Sequence, residues 1–519
     1  MNRESLDNWC EKGILALVLF VLIFGPLATG AVRSLEFLII ESCTLAVVFL
    51  WILRIWINPR HYFFWPPICW AVLAFVGYAI IRYQFAEVEY VARQELIRIL
   101  VYAFLFFAIL NNLNRQESAQ IIMLAMIALA AIISAYAIYQ ITTHSMKVWH
   151  FTKPAQYAGR GGGTYINPNH LAGFLEMILP LGLACILLGR FNHVTKIVLG
   201  YGCLMILIGI GVTGSRGGWI ATGVMLLVFF SLLLMHRDFR IPAVGMLILL
   251  LAAGMVFARH AQTAHQRFEK TFKESKTEEG RFLYWDCATR MWKDHLWWGT
   301  GPGHYDIYFA QYRPVKLQSR PLYAHNDYLN TLADWGATGM AIIALSVFFL
   351  YWGALKTWPH VQRSANDLGT KKSNKAAFVF GGALGVLAIL IHSIFDFNMQ
   401  IPANAILAIT LMALVSGYQR FASEQFWVTQ SVLAKIFVSL LACAGLIYLG
   451  PQGWRKAQEY AWLHRAEKAK NNPQEKLAAL KKAAEIEPMN AEVTYSIGEI
   501  FRLRSWLGED DYEKWAKEA

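Results

Sequence analysis

Charged side chains are scarce in this chain. Of its 519 residues, only 16% are Asp, Glu, Lys or Arg, whereas 56% are hydrophobic. About a quarter of the residues of an average soluble domain are charged, because a folded chain must cover itself with polar surface. The composition therefore excludes an ordinary water-soluble fold and predicts a polytopic membrane protein.

The seven cysteines lack the spacing that disulfide frameworks and metal sites require. Six of them lie in or beside apolar runs, and Cys287 alone falls in a long polar loop. Paired motifs such as Cys-x-x-Cys do not occur, so we expect neither a disulfide framework nor a zinc site. Small buried hydrophobic side chains are the plainer interpretation of these cysteines.

The basic excess, 47 Lys and Arg against 35 Asp and Glu, lacks the pattern of nucleic-acid binding. No basic patch interleaved with aromatic residues appears in a soluble segment, so we expect no nucleic-acid partner. Lys and Arg instead accumulate in alternate short loops, as the positive-inside rule predicts for cytoplasmic loops. With a cytoplasmic N-terminus, a long loop at about 259–334 and the C-terminal tail lie on the outer face.

Apolar runs long enough to cross a hydrocarbon core of about 30 Å recur along the chain. They predict an all-α, polytopic membrane fold with about 12–13 transmembrane helices in a core of residues 1–450. The first run lacks a convincing small-residue cleavage site, so we interpret it as an uncleaved span.

The composition becomes polar and helical after Pro451. Ala483, Ala484 and Pro488, followed by Tyr495 and Gly498, have the spacing of a tetratricopeptide repeat that leads into another. Residues 451–519 are therefore predicted to form a small helical-repeat tail on the outer face. Two repeats are too few for a stable solenoid, so we expect the tail to pack on the core or on a protein partner.

Two loops on the predicted outer face interrupt the apolar pattern. The segment GRGGGTYINPNH, residues 159–170, contains three consecutive glycines, but its spacing is not that of a phosphate-binding P-loop. A flexible connector is therefore the plainer interpretation. The second loop has apolar residues at helical spacing from Glu279, which predicts an amphipathic helix at the membrane surface, followed by a tight glycine turn at 299–303.

Three polar motifs stand beside apolar spans, where Arg and His are costly to hold. They are TGSRGGW around Arg216, EEGRFLYWDCATRMW around Arg281, and AHNDYLNTLADWGATG around His325. Guanidinium groups bind phosphate oxygens bidentately and remain charged at every relevant pH. The motifs therefore predict a site that handles an anionic group.

These motifs, together with the Trp-x-Gly-x-Gly-x-Gly turn, resemble the O-antigen ligase and polymerase superfamily. The similarity covers roughly residues 167–339 and continues more weakly into HSIFDFNMQIPANA, residues 392–405. Members are GT-C-like glycosyltransferases that take glycans from undecaprenyl diphosphate on the periplasmic side, with neither a nucleotide sugar nor a metal. The resemblance therefore implies a multi-pass protein of the bacterial inner membrane that needs no cofactor.

The resemblance also implies roles for individual residues. Arg216 and Arg281 would bind the diphosphate and neutralise its charge as it leaves, and His325 would be the general base of an inverting displacement. We expect Asn326 and Asp327 to orient the histidine ring or to bind sugar, with Asp396 as a further candidate in the same cavity. The predicted substrate-binding residues are Arg160, Asn169, His170, Asn326, Asp327 and Tyr328.

The sequence leaves the acceptor open. A glycan acceptor, a lipid A-core acceptor and a protein acceptor correspond to a polymerase, a ligase and a protein O-oligosaccharyltransferase, respectively. A non-catalytic lipid-glycan transporter is a further alternative, although we find no internal symmetry of the kind that transporters show. Membrane lipids are expected partners in every case.

Overall fold

The computed structural model describes residues 3–58, 62–260, 276–315, 317–318, 320–362, 372–428, 431–469, 472–508 and 512–518. Its helices are α1 (Arg3–Leu27), α2 (Ser34–Ile57), α3 (Ile68–Gln84), α4 (Glu89–Asn112), α5 (Gln116–Thr142), α6 (Pro168–Leu188), α7 (His193–Thr213), α8 (Arg216–Met235), α9 (Arg240–His260), α10 (Lys276–Asp294), α11 (Tyr305–Tyr312), α12 (Asp327–Val361), α13 (Asn374–His392), α14 (Pro402–Gly417), α15 (Val432–Lys468), α16 (Pro473–Ile486), α17 (Ala491–Trp506) and α18 (Tyr512–Glu518).

Strands are a minor part of the described structure. Each of its two antiparallel ladders is two residues long: β1 (Phe63–Phe64) pairs with β4 (Trp427–Val428), and β2 (Lys147–Val148) pairs with β3 (Phe151–Thr152). The predicted all-α fold is therefore confirmed. Part of the predicted loop at 259–334, residues 261–275, lies outside the described residues.

Eleven of the described helices are long and apolar enough to cross a membrane. Two shorter apolar helical segments, Ile68–Gln84 and Arg240–Ala252, lie where the sequence predicts two further spans. The predicted number of about 12–13 is reached when one or both of these segments are counted. The polytopic membrane architecture is confirmed.

Successive helix ends alternate between two faces of the bundle. We call the face where α6, α8 and α12 begin the upper face, and the face where they end the lower face. At the upper face the Asp327 amide donates to the Ser393 carbonyl (2.8 Å), which joins the start of α12 to the end of α13. At the lower face the Arg190 amide donates to the Asn374 side chain (2.6 Å), which joins the end of α6 to the start of α13.

Helix α6 lies at the centre of the bundle, with almost every residue buried. Glycines on α13 permit close packing there: a Cβ at Gly385 would lie 2.3 Å from the Met177 carbonyl oxygen, and one at Gly381 would lie 2.7 Å from the Leu181 Cα. Small residues at helix crossings allow such backbone contact in membrane proteins. The contact holds polar residues of α6 against the end of α13.

Helix α12 has a kink at Gly336, whose φ of 65° and ψ of −173° are not helical. The chain there lies against the predicted glycine turn: Gly299, Gly301 and Gly303 all have positive φ, and a Cβ at Gly299 would lie 2.4 Å from the Asp334 carbonyl oxygen. Only glycine fits such positions without strain. The long apolar part of α12 therefore begins after the kink.

The C-terminal tail packs on the membrane core. Helix α15 continues through Pro451, and α16 and α17 fold back as a hairpin with their own apolar cluster. A buried ion pair between Arg93 of α4 and Glu487 (2.6 Å) fastens this hairpin to the core. The domain boundary at residue 450 and the tetratricopeptide character of the tail remain predictions.

Candidate functional site

A histidine and a buried carboxylate meet at the upper face. His325 precedes the N-cap residue of α12, and its Nδ1 lies 3.1 Å from Oδ1 of Asp396, which follows α13. The Asp396 side chain is only 1% exposed, whereas 29% of the His325 side chain is exposed. The carboxylate of the pair is thus buried in protein, whereas the imidazole remains accessible.

Asp396 is held by several other groups. Its Oδ2 accepts a hydrogen bond from Asn169 Nδ2 (2.5 Å), its Oδ1 accepts one from the Phe397 amide (2.9 Å), and a guanidinium nitrogen of Arg281 lies 4.0 Å from Oδ2. Burial alone would raise the pKa of Asp396, but the His325 hydrogen bond and the charges of His325, His170 and Arg281 lower it below its usual range. The group is therefore an ionised carboxylate at neutral pH.

Aromatic rings frame the His325 imidazole. Tyr284 of α10 stacks on it, with ring centroids 6.0 Å apart and 22° between the planes, and Phe397 meets it edge-on at 4.8 Å. Trp285 Nε1 donates to the His325 carbonyl oxygen (3.3 Å), where the backbone φ is 54°. The ring is therefore fixed by stacking, by its backbone and by the carboxylate, so that Nδ1 carries the proton donated to Asp396.

The Asp396 contact extends into a chain of buried polar groups. Asn169, in the first turn of α6, accepts a hydrogen bond from Arg160 through Oδ1 and donates to Asp396 through Nδ2. Arg160 Nε also donates to the Thr213 carbonyl oxygen (2.7 Å) at the end of α7. This chain connects three separate segments to the carboxylate that holds His325.

The glycine-rich segment before α6 is closely packed. Gln140 of α5 accepts hydrogen bonds from the amides of Gly162 (3.0 Å) and Gly163 (2.9 Å) and donates to the Gly163 carbonyl. A Cβ at Gly162 would lie 2.6 Å from the Tyr165 carbonyl oxygen. The plainer interpretation of a flexible connector is therefore wrong for these buried residues, which position Arg160 and Asn169.

His170 lies beside the pair but is itself buried. Its Nε2 is 3.1 Å from Asn167 Nδ2, and its ring meets Phe397 edge-on at 4.9 Å. Asn167 also caps α6 by accepting the Asn169 amide (3.0 Å). His170 therefore packs against Phe397, which in turn contacts the His325 ring.

Arg216 is the first residue of α8 and is half-buried. The next residue, Gly217, lies against the end of α13, since a Cβ there would be 2.9 Å from His392 Cδ2 and 3.0 Å from Phe395 Cβ. Ser215 caps α8, and its Oγ is 3.5 Å from His392 Nε2. The first turn of α8 is thus fixed against the segment that supplies Asp396.

Beneath that turn lies a second histidine and carboxylate. His392 Nδ1 is 2.9 Å from Glu176 Oε1, and the two side chains are 1% and 0% exposed. Helix α6 supplies Glu176 and helix α13 supplies His392. The pair joins these helices directly below the start of α8.

Three predicted substrate-binding residues make hydrogen bonds within the fold. Asn326 caps α12 by accepting the Leu329 amide (3.0 Å), and the Tyr328 hydroxyl donates to the Leu390 carbonyl (2.7 Å). Asp327 accepts hydrogen bonds from Ser393 Oγ (2.8 Å) and from the Met399 amide (3.1 Å). Neither Asn326 nor Asp327 is therefore the residue that orients the histidine ring. Asp396 contacts the ring, and Asp327 bonds to the segment that carries Asp396.

The sequence analysis does not predict the two aromatic rings that contact His325, Tyr284 and Phe397. Tyr284 follows Arg281 by one turn of α10, and Phe397 follows Asp396 directly, so both rings lie close in sequence to predicted site residues. Within the described parts of the chain, no group of three or more His, Cys, Asp or Glu side chains is arranged to hold a metal ion.

Comparison with known proteins finds a family similarity in the part of the chain that contains α8, α10 and the start of α12. Residues 201–344 match the family model described as O-Antigen ligase. The match spans a little over a quarter of the chain and contains Arg216, Arg281 and His325, whereas Asn169 and Asp396 lie outside it. No curated protein matches the chain significantly.

Proposed function

Because the chain belongs to the O-antigen ligase family of membrane proteins, we propose that it is an integral membrane glycosyltransferase with a lipid-linked donor. The family match supports glycan transfer of the ligase or polymerase type. The finer proposal is that the glycan moves from undecaprenyl diphosphate to an acceptor hydroxyl at the periplasmic face, with inversion and without a metal ion.

The observation that carries this proposal is the contact between His325 and Asp396. Because Nδ1 donates to the carboxylate, Nε2 has the lone pair that accepts a proton from the acceptor hydroxyl. The acceptor oxygen then forms a bond to the anomeric carbon while the bond from that carbon to the diphosphate oxygen breaks. The diphosphate leaves with the bonding electrons, and a single displacement inverts the anomeric configuration.

Asp396 has a defined part in this step. An ionised carboxylate stabilises the imidazolium that forms when His325 takes the proton, and it keeps the ring in the required tautomer. Asn169, Arg160 and the Phe397 amide hold that carboxylate in place. Asp396 and its supports are therefore positioning residues that act through His325.

Cations beside the site are needed to stabilise the negative charge that develops on the leaving diphosphate. Arg281 is one third exposed and lies 4.0 Å from the Asp396 carboxylate, so it borders the pair on its accessible side. Arg216 begins a helix whose first turn packs on the segment before Asp396. Guanidinium groups placed in this way stabilise negative charge as it develops on phosphate oxygens.

The distribution of basic residues supports a periplasmic site. Loops at the lower face carry Arg190, Lys196, Arg237 and Arg240, whereas His325 and Asp396 lie at the upper face. Basic residues in short loops favour the cytoplasmic side. The upper face is therefore proposed to face the periplasm of a bacterial inner membrane.

The test is transfer by the purified full-length protein in nanodiscs, supplied with an undecaprenyl diphosphate-linked repeat unit. A product ladder without added acceptor identifies a polymerase, and a single product that needs lipid A-core identifies a ligase. A product formed only with added protein identifies a protein O-oligosaccharyltransferase. His325→Ala should abolish each product, whereas His150→Ala, an exposed histidine of the upper face, should not.

Two results would contradict the proposal. One is donor binding without any product from wild-type protein in all three arms. The other is carrier-linked glycan crossing the bilayer at the same rate in wild-type protein and in His325→Ala, which would identify a non-catalytic transporter.

A further inference from the structure

A cavity of about 530 Å³ opens at the lower face, far from the candidate site. We call it the lower cavity. One wall is the end of α12, and the other is the segment from Gln419 to Phe426, which follows α14. Its volume lies within the range of small-ligand sites, about 300–1,000 Å³. The glycosyl transfer proposed above does not involve it.

The wall formed by α12 changes from apolar to basic along its length. Phe349, Trp352, Lys356 and His360 follow one another at intervals of three or four residues, so they lie on one stripe of the helix. Lys356 Nζ lies 4.6 Å from the centroid of the Trp352 ring. A ligand in this cavity therefore contacts apolar groups at one end and basic groups at the other.

The basic end lies at the depth of lipid headgroups. From the kink at Gly336, the helix rises to Lys356 by about 30 Å at 1.5 Å per residue, which is the thickness of a hydrocarbon core. Trp352, which lines the cavity, and Leu355 are both exposed. With the helix in a membrane, the apolar end of the cavity would lie against the hydrocarbon and Lys356 would lie at the interface.

The opposite wall contains a buried hydrogen-bond donor that lacks a partner. Gln419 is 4% exposed, and its Nε2 has no hydrogen-bond acceptor among the described residues. It lies close to α12, because a Cβ at Gly353 would be 1.8 Å from this nitrogen. A buried amide without an acceptor is unfavourable, and a shift of the Gln419 side chain, which lines the cavity, would let a ligand oxygen accept from it.

The charge of the cavity selects an anion. None of the described residues whose atoms line it is acidic, and Glu424, the acidic residue of the Gln419–Phe426 segment, is exposed and does not line the cavity. Lys375 and Arg420, both near Phe421, add positive charge at the same end of the bundle. Basic pockets between transmembrane helices at a positively charged face are suited to anionic lipid headgroups.

We propose that the lower cavity binds an anionic phospholipid from the lower leaflet. The phosphate lies against Lys356, His360 and the amide of Gln419, and the upper parts of the acyl chains lie against Phe349 and Trp352. A water-soluble phosphate does not need the apolar half of this arrangement.

The test is native mass spectrometry of the full-length protein with dioleoyl phosphatidylglycerol and, separately, dioleoyl phosphatidylcholine as probes. Wild-type protein should retain phosphatidylglycerol preferentially. Lys356→Gln should lower its retention about fivefold, as expected for one basic residue beside an anionic headgroup. Lys435→Gln, a lysine at the lower end of α15 outside the lower cavity, is the matched control and should leave retention unchanged.

A second variant distinguishes lipid binding in the lower cavity from general attraction of anionic lipid to the basic surface. Ala422→Trp places a large side chain in the lower cavity without changing its charge, so phosphatidylglycerol retention should fall to the phosphatidylcholine level. Size-exclusion profiles and thermal unfolding of the variants check that they are folded.

Three outcomes would overturn the proposal. The first is equal retention of both lipids by wild-type protein. The second is unchanged retention in Lys356→Gln. The third is displacement of phosphatidylglycerol by millimolar inorganic phosphate, which would identify a site for a soluble anion.

Discussion

Two pairs of histidine and carboxylate lie side by side at the upper face, and they differ in access. His325 and Asp396 are 3.1 Å apart with the histidine 29% exposed, whereas His392 and Glu176 are 2.9 Å apart with both side chains sealed. Asp396 follows His392 by one helical turn, so a single segment supplies one member of each pair. Only the first pair can exchange a proton with a substrate.

The difference shows how one chemical unit serves two purposes. The sealed pair joins α6 to α13 beneath the start of α8, while the accessible pair lies where α10 and α12 leave a histidine open. Breaking a sealed pair leaves a polar group without compensation in the core. Removing His325 from the accessible pair removes chemistry but leaves Asp396 with its hydrogen bonds from Asn169 and the Phe397 amide, so it costs less stability.

Among the residues that position His325, Asp396→Asn should give the largest loss of activity. The amide keeps the shape of the carboxylate but not its charge, so it neither holds the required tautomer of His325 nor stabilises the imidazolium. Transfer should fall by about 10²–10⁴-fold, the range found for such positioned acid-base groups, while donor binding persists. Initial rates with labelled donor measure the loss, and Asp286→Asn, an exposed carboxylate of α10 paired with Arg290, is the control.

The same variant gives a pH test. Because the folded-state pKa of Asp396 is lowered, its contribution to stability is fully present above the unfolded value of about 3.9 and is lost as pH falls through the lower folded value. The difference in thermal stability between wild-type protein and Asp396→Asn should be constant from pH 8 to pH 5 and should shrink below pH 4. A difference that grows on acidification would contradict the low pKa.

His392→Ala should be the most destabilising change at either pair. It leaves the Glu176 carboxylate buried and alone, and the expected loss in the free energy of unfolding is about 3–5 kcal/mol. His325→Ala, at the accessible pair, should cost less than that, because Asp396 keeps its hydrogen bonds from Asn169 and the Phe397 amide. Thermal or denaturant unfolding in detergent measures both, and equal losses would remove the distinction between the pairs.

Gly217→Ala tests the link between the sealed pair and Arg216. The added methyl group would lie within 3.0 Å of His392 and Phe395, so α8 must shift. Overpacking of this kind costs about 1–3 kcal/mol, and the displaced Arg216 should weaken donor binding. Gly223→Ala, later on α8 with open space around it, should do neither. A lipid-diphosphate binding assay with both variants distinguishes the outcomes.

Tyr284→Ala should have the smallest effect on transfer. Loss of the stacked ring removes about 0.5–1.5 kcal/mol of aromatic packing, which lowers the transfer rate by about two- to tenfold if His325 becomes less ordered. Tyr284→Phe keeps the ring and should stay within twofold of wild-type protein. A large loss in Tyr284→Phe would mean that the hydroxyl itself takes part.

The parts of the molecule that the sequence predicts are those encoded locally. Long apolar runs define the membrane helices, and the glycine turn at 299–303 follows from its own spacing. Helix α3 (Ile68–Gln84) shows the limit, because it has only 17 residues and a hydropathy pattern does not fix how many residues become helical.

The sequence names most residues of the candidate site but not the contacts between them. The structure brings Arg281 and His325 together with Asp396, whereas the sequence suggests ring support or sugar binding for Asn326 and Asp327, which are nearer to His325 in the chain. Asp396 lies 71 residues from His325, and Asn169 lies 227 residues from Asp396. Contacts of that range depend on how α6, α12 and α13 pack, and no local pattern encodes them.

The most direct test of the central claim is single-turnover transfer by wild-type protein and His325→Ala. Each protein is saturated with undecaprenyl diphosphate-linked glycan and supplied with whichever acceptor gives product with wild-type protein in the transfer assay. If His325 is the base, the variant binds donor with unchanged affinity and transfers at least about a hundredfold more slowly. Transfer at the wild-type rate by a variant that has bound its donor would contradict that role.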